Sequence, residues 1–111
     1  MHARSADFER LLRTLLAHDV AFLVVGGASA VLQGAPMPTL DLDIVHERSQ
    51  ANVDRLISAL VELDACYREH LPSKLLRPAA SGLMGPGHHL LMTKAGPLDV
   101  LGVIGAQRDH A

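Results

Sequence analysis

Three acids in this chain sit where acids are expensive. Asp41 and Asp43 fall within Leu40-Asp41-Leu42-Asp43-Ile44-Val45, and Asp99 falls between Leu98 and Val100. An unpaired carboxylate in an apolar element is penalised or driven to take up a proton, so something cationic is expected to face them. The acid–apolar alternation puts Asp41 and Asp43 on one face of a strand and Leu40, Leu42 and Ile44 on the other. At that spacing the two Cα atoms are about 6.5–7 Å apart and the side chains point the same way, so both reach one hard divalent cation or bracket two. Mg2+, which takes oxygen ligands and keeps several waters, is the natural guest. Asp99, delivered from a neighbouring strand, would complete a pattern of three carboxylates for two metal ions.

A second group precedes the acids. Gly26-Gly27 follows the apolar run Val20–Val25 and precedes Ala28-Ser29-Ala30-Val31-Leu32-Gln33. Glycines between a strand and a helix let phosphates approach backbone N–H groups at the helix N-terminus, and Ser29 adds a hydroxyl. A Gly-Gly pair or an Asp-x-Asp alone is commonplace; the combination in this order is not.

The elements that must position these residues read as alternating helices and strands. Phe8, Leu11, Leu12, Leu15 and Leu16 recur at helical spacing, with Ser5 as N-cap and Asp7 and Glu9 near the positive end of the dipole. Residues 20–25 read as a buried strand ending at the glycines, and 28–33 as a short helix ending at Gly34. Pro36 and Pro38 then force a loop into the acidic strand. Ser49 caps a second helix from Gln50 to about Asp64, whose stripe of Val53, Leu56, Ile57, Leu60 and Leu63 lies opposite Asn52, Arg55 and Glu62. Residues 66–87 are rich in Pro and Gly and read as loops with one short strand near Leu75-Leu76. His88–Thr93 and Pro97–Val103 form a hairpin around Lys94-Ala95-Gly96. The expected fold class is α/β (α+β): a single domain over residues 1–111 with helices packed on a sheet.

The string VVGGASAVLQGAPMPTLDLDIV followed by LDVLG resembles the nucleotidyltransferase superfamily related to DNA polymerase beta. It is similar in particular to the minimal and AbiEii-like nucleotidyltransferases, some of which belong to toxin–antitoxin or phage-defence pairs. The resemblance covers residues 20–103 and implies a nucleotidyltransferase-like mixed β-sheet flanked by helices. It further implies transfer of a nucleoside monophosphate from an NTP, with ATP the expected one, to a hydroxyl acceptor, with two Mg2+ ions and release of pyrophosphate. By this resemblance Asp41 and Asp43 hold both metals, and Asp99 joins them at the metal that activates the acceptor hydroxyl. Gly26, Gly27 and Ser29 hold the triphosphate. The chain departs from the family in two respects. Where many members carry a basic residue before the acidic strand, it has Pro36-Met37-Pro38-Thr39, leaving Lys74, Arg77 or Lys94 to supply the positive contact. Members also commonly continue further after the third acid, so a C-terminal extension or a protein partner is expected to complete the acceptor site. The alternative reading is a weakly active or inactive nucleotidyltransferase-like module that works by pairing, such as the antitoxin of a toxin–antitoxin pair.

Composition narrows the partners. The 111 residues are 49% hydrophobic and 20% charged with a formal charge of −2, so no basic field draws nucleic acid or acidic membranes. Phe8, Phe22 and Tyr67 are the only aromatics, which leaves few platforms for stacking bases. The one cysteine, Cys66, reads as a small buried hydrophobe and excludes an internal disulfide; a reducing, cytoplasmic setting is expected. No apolar run reaches the roughly 18 residues of a membrane span. The seven histidines lack zinc-ligand spacing, and His46, just past the acidic strand, reads as an exposed strand end in preference to a group supporting the metal ligands.

Overall fold

A computed structural model describes residues 7–26, 41–68, 76–104 and 108–109. Its described elements in chain order are α1 (Phe8–Ala17), β1 (Phe22–Val25), β2 (Leu42–His46), α2 (Gln50–Glu62), β3 (Cys66–Tyr67), α3 (Ala80–Leu83), β4 (His88–Thr93), β5 (Gly96–Leu101), β6 (Val103–Ile104) and β7 (Arg108–Asp109). Five strands make a mixed sheet in the order β1-β2-β5-β4-β3, with β2 and β5 parallel and every other pair antiparallel. β6 and β7 pair separately. The fold is therefore a mixed α+β domain, a five-stranded sheet flanked by helices. No helix among the described residues is long and apolar enough to cross a membrane.

The apolar stripes predict which sheet face the helices cover. Leu11 and Leu15 of α1 and Val53, Leu56, Ala59 and Leu60 of α2 form one core with Leu42 and Ile44 of β2, Leu91 of β4, and Leu98 and Val100 of β5. Phe22 and Val24 pack against it from β1. Because side chains alternate along a strand, Leu23, Asp43, Leu90 and Asp99 must point to the other face. Leu23 and Leu90 there remain exposed.

Several boundaries and environments differ from the sequence expectation. The first helix is capped by Asp7, whose carboxylate accepts from the Arg10 N–H, and it starts at Phe8; Ser5 lies outside the described residues, as does the helix expected at 28–33. Ser49 caps α2 as expected, accepting from the Asn52 N–H. Asn52 itself is fully buried and not on the solvent side. Its amide accepts from the Ala21 N–H at 2.7 Å and donates to the carbonyls of Ala21 at 3.0 Å and Glu47 at 2.8 Å, tying α2 to the ends of β1 and β2. The short strand in the weakly patterned stretch is Cys66–Tyr67; Leu76 is not in a strand but accepts from the Tyr67 N–H, and Leu75 is outside the described residues.

The hairpin forms with Lys94-Ala95 as its loop, Gly96 already pairing with Thr93. Its second strand stops at Leu101 and does not continue to Val103. A Cβ on Gly102 would stand 2.6 Å from the Pro86 backbone, and the Gly102 N–H donates to the Gly87 carbonyl at 3.0 Å, so the two segments meet too closely there for any side chain.

His46 is the clearest correction, because it is fully buried instead of sitting at an exposed strand end. Its Nε2–H donates to the Leu83 carbonyl at 2.7 Å. His89 serves the same short helix: its Nε2–H donates to the Gly82 carbonyl at 3.2 Å, which fixes Nδ1 as acceptor for the Tyr67 hydroxyl at 2.6 Å. Two neutral imidazoles thus dock on the last turn of α3, at the Leu83 carbonyl and at the Gly82 carbonyl, which also accepts from the Gly85 N–H at 3.2 Å.

Replacing Asn52 by Ala takes the side-chain partner from the Ala21 N–H and the Glu47 carbonyl, while the Ala21 carbonyl keeps the Glu47 N–H at 3.1 Å, and costs about 2–4 kcal/mol of unfolding free energy, measurable by urea titration. Burial holds the pKa of His46 and of His89 below the ordinary imidazole value. As pH falls through the unfolded value the unfolded chain binds protons that the folded chain refuses, so stability drops on the acid side of neutrality. Melting temperatures at pH 7.5 and 5.5 will show this loss, and His46→Gln will reduce it; an unchanged pH slope in the variant contradicts the assignment.

Candidate metal centre

The acids converge because two strands run parallel in one register. Leu42 lies opposite Leu98, Asp43 opposite Asp99 and Ile44 opposite Val100. With the apolar members held in the core, Asp43 and Asp99 stand side by side on the face turned away from the helices. Asp41 enters from the residue immediately before β2. Carboxylate oxygens of Asp41, Asp43 and Asp99 all lie within 4.8 Å of one another. Leu40, Gly27, Ser29 and Lys74 lie outside the described residues.

Gly26 follows β1 directly, and Val25 is paired with Asp43. Its φ is +70°, and a Cβ there would stand 2.6 Å from Asp43 Oδ2. The first glycine of the pair is therefore required twice, by its left-handed backbone and by the carboxylate lying against it. Expected from sequence to lie against phosphates, Gly26 has the Asp43 carboxylate as its described neighbour.

The cation expected opposite the acids is Arg68, a residue the sequence reading did not single out. Its Nη2 pairs with Asp99 Oδ1, and its Nη1 is 3.9 Å from Asp41 Oδ2. Nothing in the local sequence marks this arginine, which directly follows a two-residue strand; only the strand order brings it to the acids. Of the cations proposed from sequence, Arg77 is engaged with Asp64 and the Ala65 carbonyl, and Lys94 is an exposed residue of the hairpin loop.

Arg68 does not balance the cluster. Burial and the neighbouring Asp41 charge raise the pKa of Asp43 above the ordinary carboxylate value, against the lowering effect of Arg68. Asp43 Oδ1 is buried and has no hydrogen-bond partner among the described residues. Converging carboxylate oxygens, beside an Asp43 oxygen with no partner among the described residues, fit a divalent cation such as Mg2+.

No protein-family profile matches the chain, and neither does any curated protein or solved structure.

The site carries two expected outcomes. Gly26→Ala, strained by its φ and by contact with Asp43, loses about 1–3 kcal/mol of stability and weakens Mg2+ binding, both read by thermal shift with and without the ion. Asp43→Asn removes a penalised charge, so without Mg2+ at pH 7 it melts a few degrees above the wild type. A variant that melts lower would show that the carboxylate is already compensated.

Proposed function

We propose that this protein is a Mg2+-dependent nucleotidyltransferase that moves a nucleoside monophosphate from an NTP, with ATP the expected donor, to a hydroxyl acceptor and releases pyrophosphate. The observation that carries the reading is the convergence of Asp41, Asp43 and Asp99 within 4.8 Å, from two parallel strands in register and the residue preceding one of them. The ordered motif of glycines, Asp-x-Asp and a later strand acid supports it, through the resemblance already described.

In this reading Asp41 and Asp43 hold two Mg2+ ions, and Asp99 shares the one at the acceptor side. The ions supply charge neutralisation on the attacking and leaving oxygens, the main demand of phosphoryl-type transfer. The chain's own residues keep that charge in place. The β2–β5 ladder fixes the Asp43–Asp99 separation, and Gly26 leaves room for the Asp43 carboxylate. Gly27 and Ser29 join Gly26 as the triphosphate contact. Leu23 and Leu90 are exposed on the same face, and they provide apolar surface for an acceptor or for a protein partner that completes its pocket. The cytoplasm is the proposed setting.

The test is incorporation of labelled nucleotide with Mg2+ and a panel of hydroxyl acceptors, including aminoglycosides, protein side chains and RNA ends. Asp43→Asn and Asp99→Asn should each lower transfer by about 100-fold or more while the far-ultraviolet spectrum is kept. Undiminished transfer in either variant contradicts the metal assignment.

A further inference from the structure

Arg68 stands one residue beyond β3, at the far edge of the sheet from β1. The ladders pair Tyr67 with Leu91, Leu90 with Asp99 and Asp99 with Asp43. Continued by one residue, they set Arg68, Leu90, Asp99 and Asp43 in one row across the site face. A long side chain is needed to reach Asp99 from two strands away, since neighbouring strands are about 4.8 Å apart. Arg68 makes that reach and pairs with Asp99 through Nη2, with Nη1 3.9 Å from Asp41.

This guanidinium occupies the charges that a divalent cation would use. Two cations on the same carboxylates repel each other, and a doubly charged ion outcompetes a single charge for oxygen ligands. The guanidinium also keeps an unused donor, since its Nε is buried without a hydrogen-bond partner among the described residues. Anchored on β3, a displaced Arg68 remains beside the site. Its planar fork of donors matches phosphate oxygens as well as it matches carboxylate. The loop before the acidic strand, Pro36-Met37-Pro38-Thr39, has no cation to offer a triphosphate.

We propose that Arg68 exchanges partners, neutralising Asp99 and Asp41 in the cation-free protein and turning to the phosphates of the incoming nucleoside triphosphate once divalent cations take those carboxylates. The inference rests on the nucleotidyl-transfer reading and names the residue that supplies its missing positive contact. Arg68 thereby opposes Mg2+ alone and favours Mg2+ together with nucleotide, which makes metal loading depend on substrate.

Calorimetric titration of the full chain with Mg2+ alone, and then with Mg2+ and the non-cleavable α,β-methylene ATP, separates the two roles. Removal of the competing charge in Arg68→Gln should tighten binding of Mg2+ alone by about threefold or more. Loss of the phosphate contact should weaken the Mg2+-dependent nucleotide by about tenfold. Affinities that move in the same direction, or do not move, overturn the exchange. Arg68→Lys keeps the charge and loses the fork, so it carries the test if Arg68→Gln does not fold: weaker nucleotide binding with Mg2+ binding retained supports the exchange, and unchanged nucleotide binding overturns it. A wild type with no Mg2+-dependent nucleotide binding defeats the nucleotidyl-transfer reading itself. A wild type that binds, with Arg68→Gln indistinguishable from it, defeats the role of Arg68 alone.

Discussion

The site depends on the register of one parallel strand pair. Leu42 and Ile44 on β2, and Leu98 and Val100 on β5, have no exposed surface. Their burial places Asp43 directly beside Asp99 on the opposite face. A slip of one residue would carry the acids into the core and the leucines out of it, so the same hydrophobic burial that stabilises the sheet also enforces the carboxylate geometry. The helices matter to the chemistry through this constraint, for α1 and α2 cover the face that must be dry and leave the acids on the other.

That arrangement holds a local cost. Three carboxylates approach one another, one oxygen of Asp43 lacks a partner among the described residues, and the pKa of Asp43 is pushed up by burial and by Asp41. Arg68 relieves part of this through Asp99 and Asp41. A fold selected for stability alone would place an amide or an apolar residue at 43 and dispense with Gly26, whose positive φ and absent Cβ serve that carboxylate. The cost is concentrated in one place and supported by an ordinary core, and a divalent cation at the proposed site would relieve it.

The acids were legible in the sequence because strand alternation is a local signal: charge at 41 and 43 against leucine and isoleucine at 42 and 44 assigns faces without knowledge of the rest. The hairpin and the Ser49 cap were legible for the same reason. Arg68, His46 and Asn52 were not. Arg68 meets the acids only through the strand order, which no local pattern encodes. His46 and Asn52 are polar residues whose burial is set by what they satisfy: the Leu83 carbonyl in one case, and the Ala21 and Glu47 backbone in the other. Polarity alone reads as exposure until those partners are known.

The role proposed for the three acids is a cation site for a nucleoside triphosphate. Thermal-shift titration of the four NTPs, with and without Mg2+, on the wild type and on Asp41→Ala/Asp43→Ala tests it most directly. Stabilisation of the wild type should require both Mg2+ and nucleotide and be lost in the double variant. Stabilisation that survives the loss of both acids, or a folded wild type that responds to no NTP, would contradict it.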